Sequence, residues 1–247
     1  MRDGVACDIS LVQASAGARS TLETALPHLD IIVQPAAHRH RKLLVADMDS
    51  TMITVECIDE LADYAGLKAE VSEVTERAMR GEIDFAGALR DRVALLAGLT
   101  EATVAECLRE RVKPMGGAKE LVTAFRAAGG TAILVSGGFT HFTGPVAAEI
   151  GFDRAIANRL IVKNGILIGE VEQPIVDAQT KKATLLEALN GRDPSISIAI
   201  GDGANDIPMI EAAGLGIAYH AKPKTEAAAD ACVRFGDLNV VRYALGL

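Results

Sequence analysis

The sequence predicts an α/β fold built on a parallel sheet, and three observations carry that reading. First, short apolar runs rich in Val, Ile and Leu recur, each bounded by turn residues: Lys42–Ala46 before Asp47, Thr131–Val135 before Ser136, Ile196–Ile200 before Gly201-Asp202, and Gly214–Ala218. Strands buried on both faces of a sheet look like this. Second, helical patterns separate them, over Gly117–Ala128, Thr140–Ile150, Thr180–Leu189 and Asp206–Ala213. Strand alternating with helix implies a parallel sheet. Third, the alternation breaks once: from about Val55 to Lys113 there is no good strand, only helical patterns.

Taken in chain order, residues 1–36 are the hardest to read. Asp8–Gln13 and Asp30–Gln34 have the look of strands around a helical Ala18–Leu26, which Pro27 ends. The basic run His38-Arg39-His40-Arg41-Lys42 reads as a solvated linker ahead of the first core strand, in preference to an anion patch. The helical interval then divides into Glu56–Ala65, Lys68–Met79, Phe85–Leu96 and Glu101–Arg111, with Thr100 placed to cap the last of these. Gly81, Gly98 and the cluster Pro114, Gly116 and Gly117 punctuate it. Later, Asn164-Gly165 sits between two apolar alternations, Arg159–Lys163 and Ile166–Gly169. Asn-Gly in that setting is a hairpin turn signal.

Composition narrows the function. With 247 residues the chain can bury roughly 70–75% of its unfolded surface without disulfides. Aromatics are 4% and Trp is absent, so the core must be mainly aliphatic. A net charge of -8 argues against non-specific nucleic-acid binding, which needs a basic face. It leaves room for an anionic substrate, because a local Lys, Arg or cation overrides net charge. The cysteines Cys7, Cys57, Cys107 and Cys232 are too scattered for a zinc ribbon or redox motif and read as ordinary, mostly buried thiols. No signal peptide is visible after Met1 and no apolar stretch approaches a membrane span, so the expectation is a cytoplasmic protein, monomer or homodimer, that meets neither membrane nor nucleic acid.

Three polar clusters fall at the carboxyl ends of predicted strands: Asp47 with Asp49, Ser136-Gly137-Gly138, and Gly201-Asp202-Gly203-Ala204-Asn205-Asp206. Ligands of open parallel sheets bind there. Two carboxylates as close as Asp47 and Asp49 repel unless a cation intervenes, and Mg²⁺ suits a few carboxylates beside a phosphate, with Asp202 and Asp206 able to supply the rest. Ser136, Gly137 and Gly138 offer a hydroxyl and open backbone N–H groups to a phosphoryl oxygen. The run Gly201–Asp206 lacks the last glycine of a dinucleotide fingerprint and has acids where a pyrophosphate would sit. Lys181 and Lys182 open a helix, and one of them is placed to neutralise phosphate charge.

Together these residues resemble the four motifs of the haloacid dehalogenase superfamily: Asp47-Met48-Asp49-Ser50-Thr51, Val135 to Phe139, Lys181, and Gly201 to Asp206. Glu56-Cys57-Ile58-Asp59-Glu60, Arg80 to Phe85, Leu89 to Arg92 and Ala157-Asn158-Arg159-Leu160 narrow the resemblance to its phosphoserine phosphatase family. That resemblance implies a Rossmann-like core over 37–53 and 114–247, a helical cap over 54–113 inserted after the first core strand, and a short extension over 1–36. It implies hydrolysis of O-phospho-L-serine, the last step of serine biosynthesis. Asp47 would be the nucleophile and Asp49 the general acid and base. Mg²⁺ would sit on Asp47, Asp202 and the main-chain carbonyl of Asp49, with Asp206 holding Lys181 or a water behind it. Ser136, Gly137, Lys181 and Asn205 would bind the phosphoryl group. Glu56 and Arg92 would grip the substrate's ammonium and carboxylate, with Met79 and Phe85 as cap residues near it. The same motifs would also serve transfer of the phosphoryl group to an alcohol such as homoserine, or another small phosphorylated metabolite.

Overall fold

A computed structural model describes residues 5–12, 17–79 and 82–247 of the chain, with the side chains of Ala78 and Met79 outside that description. The expectations for Gln13, for the Met79 side chain and for the Arg80-Gly81 motif therefore lie outside the described residues. In chain order the elements are α1 (Ala18–Ala25), β1 (Leu43–Ala46), α2 (Cys57–Tyr64), α3 (Lys68–Met79), α4 (Phe85–Leu95), α5 (Glu101–Arg111), α6 (Ala118–Ala127), β2 (Thr131–Phe139), α7 (Thr140–Ile150), β3 (Arg154–Asn158), β4 (Leu160–Lys163), β5 (Ile166–Val171), α8 (Ala178–Leu189), β6 (Ser197–Gly201), α9 (Ile207–Ala212), β7 (Gly216–Tyr219), α10 (Pro223–Ala228), β8 (Ala231–Val233) and α11 (Asn239–Ala244).

Among the described residues, six strands form one parallel sheet in the order β3-β2-β1-β6-β7-β8. β1 is wholly buried, and its alternation splits the core in two. Leu44 and Ala46 face a cluster with Leu121, Phe125 and Phe142 from α6 and α7. Leu43 and Val45 face Leu185, Leu189, Met209 and Ile210 from α8 and α9. Apolar side chains on both faces explain why the strand reads as one continuous run. The chain order reverses beside β1, whose neighbours β2 and β6 lead to opposite edges of the sheet. The carboxyl ends of β2, β1 and β6 thus lie side by side at the switch point, where α/β sheets bind ligands.

α2 to α5 follow β1 and precede β2, and their ends obey local chemistry. Asp84 accepts the Gly87 N–H at 2.6 Å to start α4, and Thr100 accepts the Thr103 N–H at 3.1 Å to start α5. Asn164 and Gly165 both take the left-handed conformation between β4 and β5, as a tight hairpin turn requires. That hairpin is fastened to the helical block by main-chain hydrogen bonds, Leu167 N–H to Leu99 O (2.8 Å), Gly98 N–H to Leu167 O (2.9 Å) and Glu101 N–H to Gly165 O (3.0 Å).

Several expectations change. The described part of Asp8–Gln13 forms no strand, nor does Asp30–Gln34. The second segment is held instead by its polar ends: Asp30 accepts the backbone N–H groups of Arg234 (2.6 Å), Phe235 (3.2 Å) and Gly236 (2.8 Å), and Gln34 donates to Ala244 O (2.7 Å). The basic run is only in part a solvated linker: His38, His40 and Lys42 are exposed, but three of its cations are tied to the core. Arg41 is buried, donating to Ser195 O, Ser197 O and Gln34 Oε1; Arg39 pairs with Asp8 and donates to Tyr243 O; Lys42 donates to Ala128 O at 2.8 Å. Arg39 and Lys42 thereby satisfy carbonyls at the ends of α11 and α6, where cations are favoured. Strands β3 and β8 went unread. β8 has three residues, and β3 is an edge strand with an exposed Arg154 and Ala155. β2 runs on through Ser136-Gly137-Gly138 to Phe139 rather than stopping at Val135, with a register shift over that stretch. All four cysteines are free, Cys7 exposed and the others buried. Among the described residues no helix is long and apolar enough to cross a membrane.

Candidate active site

The site grows from the end of β1. The Asp47 N–H still donates to Ile200 O of β6 at 2.9 Å, so its backbone belongs to the sheet. The chain then folds back on itself: Met48 O accepts from Met52 N–H (2.8 Å) and Ile53 N–H (3.1 Å), and Ser50 takes a left-handed conformation. Met48, Met52 and Ile53 are fully buried and pin this loop. Asp47 and Asp49 flank Met48, so both stand on the rim while it anchors in the core.

Lys181 comes from the first turns of α8, which begins where Asp177 caps the Thr180 N–H at 2.8 Å. It has no exposed surface. Its Nζ lies 2.7 Å from Asp47 Oδ1 and 2.7 Å from Asp206 Oδ1. The other oxygen of Asp206 accepts the Gly203 N–H at 3.0 Å. Gly201 makes room for this, since a Cβ there would lie 2.4 Å from Asp206 Cγ. Asn205 sits between Asp202 and Asp206 on the short turn Ala204–Asp206. Asp202 Oδ1 accepts from the buried Thr51 hydroxyl at 3.1 Å. Asp49 turns its carboxylate the other way: Oδ1 accepts the Cys57 N–H at the start of α2 (2.9 Å), and Oδ2 accepts the Ser136 hydroxyl (3.1 Å). Ser136 Oγ in turn accepts the Gly138 N–H at 2.8 Å.

The electrostatics follow from burial. Three carboxylates, Asp47, Asp202 and Asp206, place oxygens within 4.8 Å of one another, facing one ammonium. Burial would lower the pKa of Lys181, yet the charges of Asp47 and Asp206 outweigh it and hold the lysine above its usual range. Lys181 cannot compensate every acid around it. Burial, then the charge of Asp206, push Asp47 well above the usual carboxylate range. Burial likewise raises Asp49, and it raises Asp202 to about 6, with Asp206 adding to the latter. Asp47 Oδ1, though close to Lys181, is a buried oxygen with no well-aligned hydrogen bond. An excess of buried oxygen ligands with one left unsatisfied fits a hard divalent cation.

Around this rim stand residues from the helical block. Glu56, just ahead of α2, accepts the Ser50 hydroxyl at 2.6 Å. Solvent reaches it, but surrounding protein and then the charge of Asp49 raise its carboxyl to about 7. Arg92 of α4 is half-buried and donates to Ala88 O at 3.3 Å; burial lowers its pKa, while the charges of Asp59 and Glu56 raise it. Phe85, at the head of α4, stands over Gly137: a Cβ on Gly137 would lie 3.4 Å from its ring. Asp47, Asp49, Ser136, Lys181, Asp202 and Asp206 thus converge on one rim, with Glu56 near enough to feel the charges of Asp49 and Asp202, and Arg92 near enough to feel that of Glu56. Thr51, the Cys57 main chain and Asn158 also belong there. Thr51 and Asn158 were visible only as members of motifs, and a backbone N–H such as that of Cys57 leaves no trace in sequence.

Residues 44–211 match the family model of haloacid dehalogenase-like hydrolases. The phosphoserine phosphatase of Albidiferax ferrireducens is 49% identical over 205 residues, spanning 80% of this chain and 86% of that protein. The phosphoserine phosphatase of Vibrio cholerae is 47% identical over 201 residues, or 81% of this chain and 61% of that one. Among solved structures, a substrate-bound phosphoserine phosphatase complex superposes with a TM-score of 0.76 at 38% identity, covering 82% of this chain and 97% of the other.

Proposed function

The chain belongs to the haloacid dehalogenase-like hydrolases, and from that premise we propose that it hydrolyses O-phospho-L-serine to L-serine and phosphate through a phosphoryl group carried on Asp47. One observation carries the proposal: Asp47 and Lys181 meet at 2.7 Å on the rim of the sheet, and Glu56, which feels the charges of Asp49 and Asp202, and Arg92, which feels that of Glu56, offer an anion and a guanidinium suited to the two charges of an amino acid.

An Asp47 oxygen attacks phosphorus, and the bond from phosphorus to the serine oxygen breaks. Asp49 in its protonated form gives that oxygen its proton; burial raises its carboxyl above the usual range. Asp49 then takes a proton from water as the water oxygen attacks phosphorus, and the bond to Asp47 breaks to release phosphate. Lys181, Ser136, the Gly137 N–H and Asn205 hold the phosphoryl oxygens, because phosphoryl transfer is mostly positioning and charge stabilisation. Asp206 keeps Lys181 in place. Mg²⁺ would be held by Asp47, Asp202 and the Asp49 main-chain carbonyl, and when bound it supplies charge neutralisation for the phosphate.

We read residues 54–113 as a cap over a core formed by 37–53 and 114–247, with 1–36 as an extension; the Phe85 ring, placed where a Cβ on Gly137 would meet it at 3.4 Å, supports this. Cytoplasmic serine biosynthesis is the setting that such chemistry fits. The test is phosphate release from phosphoserine with and without Mg²⁺. The reading predicts Mg²⁺-dependent release; folded protein inactive in both conditions refutes it.

A further inference from the structure

We propose that Ser50 is a positioning residue for substrate selection: its hydroxyl fixes the Glu56 carboxylate where the substrate's ammonium binds. The inference rests on the role given to Glu56 above and deepens it. Glu56 stands just ahead of α2, with a side chain that solvent reaches. A glutamate in that setting has several torsions to order before its charge can hold a cation in one place. It does not order itself by capping its own helix, since its carboxylate makes no bond to the amino end of α2. Asp49 Oδ1 serves that end instead, accepting the Cys57 N–H at 2.9 Å.

Ser50 supplies the order. Its N–H donates to Val55 O at 3.2 Å, which draws the residue before Glu56 alongside the rim loop. Its hydroxyl donates to Glu56 Oε1 at 2.6 Å. Among the described residues that is the one hydrogen bond of the Glu56 carboxylate, and it leaves Oε2 open to the ammonium. A carboxylate already held in place binds its cation without the ordering cost that a free one meets on binding.

The backbone at Ser50 does not itself call for serine. Its φ is 53°, in the left-handed region, where a Cβ crowds the following carbonyl oxygen and glycine is at ease. Glycine there would spare the strain and lose the hydroxyl. The chain instead carries a strained residue at the point where its side chain reaches Glu56, and a strained backbone held in place beside a site points to a task for the residue that bears it.

The test is Ser50→Gly, which suits the backbone and removes the hydroxyl. Two substrates are compared by kcat/KM: phosphoserine, and the same phosphate ester without its amino group. Both keep the carboxylate and an alkyl leaving oxygen, so they differ in the group that Glu56 meets. The expected result is a loss of at least about tenfold on phosphoserine and under about threefold on the analogue. In Glu56→Ala protein the same substitution should cost under about threefold on either substrate, because the carboxylate that Ser50 positions is gone. The ratio of the two substrates is independent of how much of a preparation is folded. If Ser50→Gly yields no folded protein, Ser50→Ala is read the same way. Equal losses on both substrates, no loss on phosphoserine, or a full loss that persists in Glu56→Ala protein overturns the proposal. Wild-type protein that cleaves both substrates equally well overturns the role given to Glu56, and this proposal with it; a wild-type preference for phosphoserine that survives Ser50→Gly overturns the role of Ser50 alone.

Discussion

Replacing Lys181 with methionine separates the two jobs that the structure gives this residue. The ammonium is fully buried and sits 2.7 Å from both Asp47 and Asp206. At an effective dielectric near 20, each contact is worth about 6 kcal/mol of attraction, and most of that is offset by the cost of burying the charges. Removing only the cation leaves that cost uncompensated, so Lys181→Met should destabilise the fold by about 3–5 kcal/mol. For a chain of this size that lowers Tm by about 10 °C. Activity should fall by at least about a thousandfold, since a donor to the transferring phosphoryl group is lost. Adding Asp206→Asn should recover much of the Tm, because one uncompensated carboxylate goes, but none of the activity. Thermal unfolding and phosphate release on the three variants read both effects. Lys181→Met with Tm within about 2 °C of wild type, or activity restored by Asp206→Asn, would refute the reasoning.

Other perturbations test separate parts of the account. Arg92→Ala and Glu56→Gln should each raise KM for phosphoserine by about 10–100-fold, with far less change on p-nitrophenyl phosphate, as steady-state kinetics would show. In metal-free protein burial and then the charge of Asp206 raise the Asp202 carboxyl from its ordinary 3.8 to about 6. The folded state then binds more protons than the unfolded one between those values, so this group makes stability fall as pH rises through that window. Mg²⁺ should relieve that repulsion, and the Tm gain from added Mg²⁺ should be larger at about pH 8 than at about pH 5. Asp30→Ala leaves three backbone N–H groups without their acceptor and should lower stability by about 2 kcal/mol, with kcat and KM unchanged.

How far the sequence could be read depended on whether neighbours in sequence carry the constraint. β1 and α7 were legible because burial on both strand faces and a Phe142, Val146, Ile150 stripe leave a local pattern. Asp8–Gln13 and Asp30–Gln34 carry the β-branched and apolar residues of strands, yet the described residues there join no sheet. Asp30 is instead spent on three amides around 235, which no periodicity reports. β8 is too short for a pattern to rise above chance. In the site, Asp47, Asp49, Ser136 and Asp202 were legible because strands end in polar clusters. Glu56, just ahead of α2, and Arg92, on α4, stand among many exposed charges, so only the family resemblance singled them out. Asn158 bonds through its two amide ends to segments 21 and 18 residues away, a relation that exists only in three dimensions.

The central claim is that Asp47 carries the phosphoryl group, and trapping it is the most direct test. Protein mixed with phosphoserine and Mg²⁺ is quenched in acid within the first turnover, digested, and mapped by mass spectrometry. The account predicts a phosphoryl adduct on Asp47 that is absent from Asp47→Asn protein, which is itself folded and inactive. An adduct on another residue, or Asp47→Asn protein that turns over at the wild-type rate, would contradict it.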